Sequence, residues 1–167
     1  LELIYQFIIN RWNFLLDRGK ESGLIGSDVS SMHIRRIEAG ILDYGTDIDQ
    51  TLNPFEIGLD RLVHFDKSNF IGREALLATN QKKIRLKGLV CDGSSLTRGD
   101  RLIDSGKEIG IVSAGSWSPT LGTGIGLIRL FNSRPNNYKL RVATSSGEFD
   151  AKVVELPFYD KEKLLTK

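Results

Sequence analysis

Sulfur and imidazole side chains are scarce in this chain of 167 residues, which contains one cysteine, one methionine and two histidines. The single cysteine, Cys91, excludes a disulfide framework, and its apolar neighbours predict an inert core residue. Neither His33 nor His64 has a second strong ligand three or four positions away, so we predict no metal site. The sequence also lacks the G-x-S-x-G motif of a nucleophile elbow.

Long hydrophobic runs are absent as well. The apolar start, "LELIYQFIINRWNFLL", is interrupted by Asn10, Arg11 and Asn13 before a span of about 18 residues can form. We therefore predict neither a membrane span nor a signal peptide, and expect a cytoplasmic protein. The net charge of +2 is too balanced to predict a nucleic-acid partner. Because the methionine is Met32 and not the first residue, we expect a piece of a longer polypeptide.

The first 80 residues mix patterns typical of helices and strands. The whole chain, with 167 residues of which 40% are hydrophobic, is long enough for one large domain or two small ones with a real core. The patterns predict a strand at 1–5, a helix at 6–20, a helix at 30–40 that is stopped by Gly40, a strand at 55–65 and a helix that begins near Gly72.

After residue 83 the chain becomes a series of short apolar runs separated by Gly, Ser, Asn and Asp. Six runs are present, and "TSSGEF" between the last two predicts a hairpin turn at Gly147. This spacing predicts a small antiparallel barrel or sandwich. We place the domain boundary between Thr79 and Ile84. Because helices are predicted before this boundary and antiparallel strands after it, the predicted fold class is α+β.

The glycines of "GTGIG" at 122–126 resemble a phosphate-binding loop only superficially. Such a loop needs a helix N-terminus after it, whereas "IGLIRLF" is typical of a strand. The glycines are therefore expected to bend a strand or to permit close approach of the backbone.

Glu38 is a carboxylate at the rim of an apolar helix, within "RRIEAG". It has two interpretations. It forms an ordinary ion pair with Arg35, three residues earlier on the same helix. Alternatively, it accepts two parallel N–H bonds from a flat heterocycle, as a carboxylate does from a guanidinium.

Five blocks occur in the order found in one known family. They are "RRIEAGILDYGTDID", "NPFEIGL", "NFIGREAL", "SAGSWSPTLGTGIGLIRL" and "PFY" near the end. Over residues 1–159 the chain resembles the second half of the glycine-cleavage T-protein family, the tetrahydrofolate-dependent aminomethyltransferases. The resemblance implies the C-terminal part of a ferredoxin-like α+β folate-binding domain at 1–80, a six-stranded antiparallel β-barrel at 84–160 and a tail at 161–167.

The resemblance also implies site residues. The glutamate of the "R-x-E-A-G" block holds the pterin ring, which assigns that role to Glu38. A basic residue ahead of "F-I-G" contacts the folate, and Lys67 fits it best, although a one-residue slip places Ser68 there. A tyrosine near the C-terminus lines the site, and Tyr159 is the nearest. Weaker candidates for the lining are Tyr44, Glu56 and Trp117.

The family transfers a one-carbon unit to N5 of tetrahydrofolate, from an aminomethyl-lipoyl carrier protein or from a small amine or sulfonium donor. Its catalytic aspartate belongs to the N-terminal half, so we assign no catalytic residue here and expect little turnover from this chain alone. Related demethylases of dimethylsulfoniopropionate, sarcosine or dimethylglycine share this half. Two further alternatives are a non-enzymatic folate-binding assembly module and a structural β domain that binds nothing.

Overall fold

A computed structural model describes residues 2–79, 85–162 and 164. The three α-helices are α1 (Glu2–Gly19), α2 (Val29–Glu38) and α3 (Arg73–Ala78), and two 3₁₀ helices cover Lys20–Ser22 and Asp60–Leu62. The six strands are β1 (Leu86–Cys91), β2 (Arg101–Asp104), β3 (Lys107–Ser118), β4 (Thr123–Leu130), β5 (Lys139–Thr144) and β6 (Gly147–Val154). The chain divides into two compact units, Leu1–Met32 and His33–Lys167.

The six strands form a closed antiparallel barrel in the order β1-β4-β3-β2-β5-β6, which confirms the predicted barrel. Leu89, Leu102, Val112 and Ile128 are among the fully buried side chains that fill its interior. Cys91 lies in the same core, and burial raises the pKa of its thiol. The barrel interior is therefore a packed apolar core.

The predicted strand at 1–5 is wrong, because Glu2–Tyr5 form the first turn of α1. Ile4, Ile8, Trp12 and Leu15 share one helical spacing, so the periodicity of the predicted helix extends back through this run. A run of five residues, four of them apolar, was too short to distinguish a strand from a helix start.

The predicted strand at 55–65 is also wrong. This segment consists of turns and one 3₁₀ helix. The Asn53 side chain accepts hydrogen bonds from the backbone N–H groups of Phe55 and Glu56, which folds the chain into a turn at that point. Gly58 follows with φ 74°, outside the strand region.

Helix α2 ends as its sequence predicts. Gly40 takes φ 65°, its N–H bonds the carbonyl of Ile37, and the N–H of Ile41 bonds the carbonyl of Arg36. This is a Schellman motif. At the start of the helix, the side chain of Asp28 accepts the N–H of Ser31. The helix predicted near Gly72 is confirmed as α3.

A β-bulge in β3 determines which side chains of this strand point away from the barrel interior. Val112 pairs with Ile128 and Ala114 pairs with Leu127, so Ser113 is an extra residue. The two bulged residues, Ser113 and Ala114, turn towards the same face. Ala114 packs outside the barrel with Ile37 of α2, Ile125 and Leu127. This second apolar cluster fixes the end of α2 against β3 and β4.

The glycines of the "GTGIG" segment lie in β4 and before it. A Cβ atom at Gly124 would lie 2.0 Å from the carbonyl oxygen of Ser94, so glycine is required there by a close backbone approach.

Candidate functional site

Glu38 is the last residue of α2, and the segment that follows β6 fixes its backbone. Its carbonyl oxygen accepts hydrogen bonds from the N–H groups of Phe158 (3.0 Å) and Tyr159 (3.2 Å). The preceding residue, Ile37, is fully buried in the cluster outside the barrel. Glu38 itself is 7% exposed. Its carboxylate is thus held at a nearly buried position by two segments distant in sequence.

One side chain among the described residues bonds the carboxylate of Glu38. The hydroxyl of Ser118, at the end of β3, donates to Oε1 over 2.5 Å. The same hydroxyl oxygen accepts the N–H of Leu121 (3.1 Å), so its single proton points to Glu38. Within residues 2–79, 85–162 and 164, nothing donates to Oε2.

The alternative of an ion pair between Arg35 and Glu38 does not occur. Among the described residues the ion pairs are others, and the Arg35 side chain is exposed. A nearly buried carboxylate without a cationic partner is energetically costly unless a ligand or water completes its hydrogen bonds. Glu38 is therefore able to accept a polar ligand at Oε2.

Asp47 is a second buried carboxylate, and it is fully satisfied. Arg36 donates from Nη1 over 2.6 Å, Ser113 donates over 2.6 Å, and the backbone N–H of Asp43 donates over 3.0 Å. Asp47 is completely buried and joins α2, the following loop and β3. Its contacts indicate a role in holding the loop after α2 against the barrel.

Asp49 joins the same loop to β4. Hydrogen bonds from the hydroxyl and N–H of Thr51, together with the Arg129 guanidinium at 2.8 Å, lower the pKa of Asp49 from 3.8 to about 2. The carboxylate is therefore charged throughout the neutral range, and the link to Arg129 persists there.

Tyr159 is the other predicted site residue that the structure brings to Glu38. The contact is made by its backbone N–H, and the residue is 41% exposed, which leaves part of the ring accessible. Tyr44 is also largely exposed, in the loop after α2.

Lys67 lies in a different group of residues. It is exposed and lines a cavity of about 260 Å³ whose lining includes neither Glu38 nor Tyr159. The other lining residues are Leu62, Val63, His64, Phe70 and Leu76. Among the described residues, no hydrogen bond or ion pair links Lys67 to Glu38.

The two remaining candidates have other surroundings. Glu56 pairs with Arg85 (3.0 Å) and accepts the N–H of Asn53, both of which are structural contacts. Trp117 is next to Ser118 on β3, and alternation along a strand directs it to the opposite face. Ser68 is exposed, like its neighbour Lys67.

Sequence reasoning missed Ser118. Its hydroxyl lies 80 positions from its partner, and its only signal was a polar residue before Pro119 in a turn-rich loop. The structure places no group of three or more His, Cys, Asp or Glu side chains in metal-binding proximity, within the part of the chain that it describes. No helix among those residues is long and apolar enough to cross a membrane.

Two family models match the chain. The model of the glycine cleavage T-protein C-terminal barrel domain matches residues 85–160, and that of the GCVT N-terminal domain matches residues 4–67. An aminomethyltransferase of Halothermothrix orenii is 36% identical over 152 residues, covering 88% of this chain and 42% of the relative. An aminomethyltransferase of Thermotoga neapolitana is 38% identical over 143 residues, covering 84% and 38%.

The chain thus spans about two fifths of the length of these curated relatives. Among solved structures, the glycine cleavage system aminomethyltransferase T of Bartonella henselae superposes with a TM-score of 0.71 at 22% identity. The superposition covers 80% of this chain and 39% of that one, and it shows that the two share a fold.

Proposed function

We propose, since the chain belongs to the glycine cleavage T-protein family, that it supplies the pterin-binding wall of a tetrahydrofolate-dependent aminomethyltransferase. The observation that carries the proposal is the state of Glu38. Its carboxylate is nearly buried, its Oε1 is held by Ser118, and its Oε2 has no donor among the described residues.

A pterin ring fits this carboxylate chemically. One edge of the ring presents an N–H group beside an NH₂ group, and a carboxylate accepts two such parallel bonds as it does from arginine. Oε2 and the second lone pair of Oε1 are the acceptors that remain after the bond from Ser118. Hydrogen bonds of this kind are strengthened where water is excluded, as at a position 7% exposed.

The residues of this chain bind and orient the ring. Glu38 fixes the ring edge, and the partly exposed Tyr159 lies beside it through the bond between its N–H and the Glu38 carbonyl. Lys67 is proposed to contact another part of the folate. Bound tetrahydrofolate accepts the one-carbon unit at N5, and orientation of the reacting atoms contributes much of the rate of such a transfer.

The donor is proposed to be an aminomethyl group on a lipoyl carrier protein, in agreement with the name aminomethyltransferase of the relatives. We assign no catalytic residue to this chain, which contributes binding and orientation. The whole reaction is proposed for the protein that contains this wall together with the rest of the family fold.

Substitution of Glu38 by Gln tests the proposal. The glutamine retains the shape of the side chain but loses the charge and one acceptor, so we expect the Kd for tetrahydrofolate to rise at least tenfold. The 167-residue chain is titrated under anaerobic conditions and followed by amide chemical shifts in NMR, which detects millimolar binding.

Glu108→Gln is the matched control, because Glu108 is an exposed glutamate on β3. It should bind tetrahydrofolate as the parent does. Equal Kd values for the parent and Glu38→Gln, with both proteins folded, would refute the proposal, as would absence of binding to the parent.

A further inference from the structure

We infer that Ser118 is a positioning residue, which acts through Glu38 by fixing the orientation of its carboxylate before a ligand binds. The inference rests on the proposed function and extends it to a residue of the barrel. It makes the end of β3 a part of the ring-binding site, although Ser118 itself touches no ligand.

The direction of the hydrogen bond supports this role. A serine hydroxyl has one proton, and the N–H of Leu121 occupies an acceptor position of the Ser118 oxygen at 3.1 Å. The proton therefore goes to Oε1 of Glu38 at 2.5 Å, a distance typical of a hydroxyl bound to an ionised carboxylate. Oε1 is anchored, and Oε2 is left to a ligand.

Both ends of this bond are rigid. Ser118 is fully buried at the end of β3, and its carbonyl accepts the N–H of Gly122 at 2.8 Å in the following turn. The backbone of Glu38 is bonded by Phe158 and Tyr159. A short bond between two fixed backbones defines one orientation of the carboxylate, which is the geometric requirement for binding a flat ring edge.

Pre-orientation has a definite physical benefit. A glutamate side chain has several rotatable bonds, and its ordering costs conformational entropy at the moment of binding unless another contact has already ordered it. Because of the bond from Ser118, the Glu38 side chain is already ordered in the folded protein, and its entropy cost does not oppose ligand binding. Loss of the hydroxyl is therefore expected to weaken binding even though every ligand contact of Glu38 is retained.

A double-mutant cycle tests the inference with tetrahydrofolate as the probe. Ser118→Ala is expected to raise the Kd of the 167-residue chain about tenfold. In a Glu38→Gln background the same substitution should change the Kd less than twofold, because its effect passes through the carboxylate. Ser116→Ala is the matched control, since that hydroxyl, among the residues the structure describes, bonds the carbonyl of its neighbour Trp117 and no carboxylate.

Crystal structures of the ligand-free parent and of Ser118→Ala provide a readout that a general loss of stability would not change. We expect the Glu38 carboxylate to adopt a different or a mixed orientation in the variant, with the α2 backbone in place. An unmoved carboxylate would overturn the inference.

The outcomes separate the two proposals. If Glu38→Gln weakens binding and Ser118→Ala does not, the inference about Ser118 is wrong and the proposed function stands. If Ser118→Ala weakens binding equally in both backgrounds, its effect does not pass through Glu38 and the inference is again wrong. If neither the parent nor any variant binds tetrahydrofolate, the proposed function fails and the inference fails with it.

Discussion

Two carboxylates near the end of α2 differ in how many donors surround them. Asp47 is completely buried and receives hydrogen bonds from Arg36, Ser113 and Asp43, whereas the Glu38 carboxylate receives one bond from the described part of the chain, from Ser118. The sequence predicted that Glu38 was unusual, because it is a carboxylate on an apolar helix rim. It could not predict either serine partner, since both bonds join segments that only the closed barrel brings together.

Asp47→Asn is expected to destabilise the protein without touching the ring-binding oxygens. The substitution leaves the Arg36 guanidinium, which is 18% exposed, without its counter-charge. Removal of one partner of a buried pair costs about 3–5 kcal/mol, and the partial exposure of Arg36 places the expected loss near the lower limit, about 3 kcal/mol. The free energy of unfolding is measured by urea denaturation.

Asp66→Asn is the control for this change, because Asp66 is exposed in a turn. Its effect should lie within about 0.5 kcal/mol of the parent. A loss for Asp47→Asn no larger than that of the control would show that the buried bonds contribute little.

At the scale of elements, local signals identified α2, α3 and the barrel strands but failed where a turn competed with an apolar run. Gly40, Gly72 and Gly147 marked the limits of α2, α3 and β6, and each takes a positive φ. The segment at 55–65 was misread because the turn formed by Asn53 overrides its loose alternation. The sequence prediction used the spacing of apolar side chains. This turn depends instead on hydrogen bonds between the Asn53 side chain and the backbone, which apolar spacing does not show.

Gly40→Ala is expected to lower the free energy of unfolding by about 1–2 kcal/mol, because alanine is strained at φ 65°. The added Cβ would also lie 3.1 Å from Cβ of Leu156, in the segment that leads to the Glu38 carbonyl contacts. Gly45→Ala is the matched control, since Gly45 has φ 89° and no atom within 4 Å of the added Cβ.

The difference between the two variants isolates the contact with Leu156. Gly40→Ala should be the less stable variant in thermal unfolding, and the amide resonances of Phe158 and Tyr159 should shift in it alone. Equal melting temperatures and unchanged resonances would show that the segment adapts without cost.

At the scale of the whole molecule, the two compact units differ in how far their apolar side chains are buried. Helix α1 contains no buried residue, and Ile4, Ile8, Trp12 and Leu15 are all exposed along one face. The barrel, in contrast, has a core of apolar side chains that are at most 6% exposed. The sequence predicted the helical spacing of Ile8, Trp12 and Leu15 but placed Ile4 in a strand, and spacing alone does not tell what covers this face.

The exposed face of α1 is expected to bind the dye anilinonaphthalene sulfonate. Contiguous apolar surface is the feature that such dyes recognise, and it also promotes association. Ile4→Lys with Ile8→Lys should reduce the fluorescence and the apparent mass in light scattering. Asn10→Lys with Asn13→Lys adds the same charge at polar, exposed positions and should change neither; equal effects of the two pairs would refute the expectation.

The extra residue at the bulge of β3 determines how the site responds to a deletion in this strand. Ser113 and Ser118 are separated by an odd number of positions, yet both point to acidic partners outside the barrel, Asp47 and Glu38. Loss of one residue between Gly115 and Ser118, with the bulge retained, would reverse the alternation and turn the Ser118 side chain towards the barrel interior. The number of residues in β3, and not only their identity, therefore decides whether Asp47 and Glu38 both keep their serine donors.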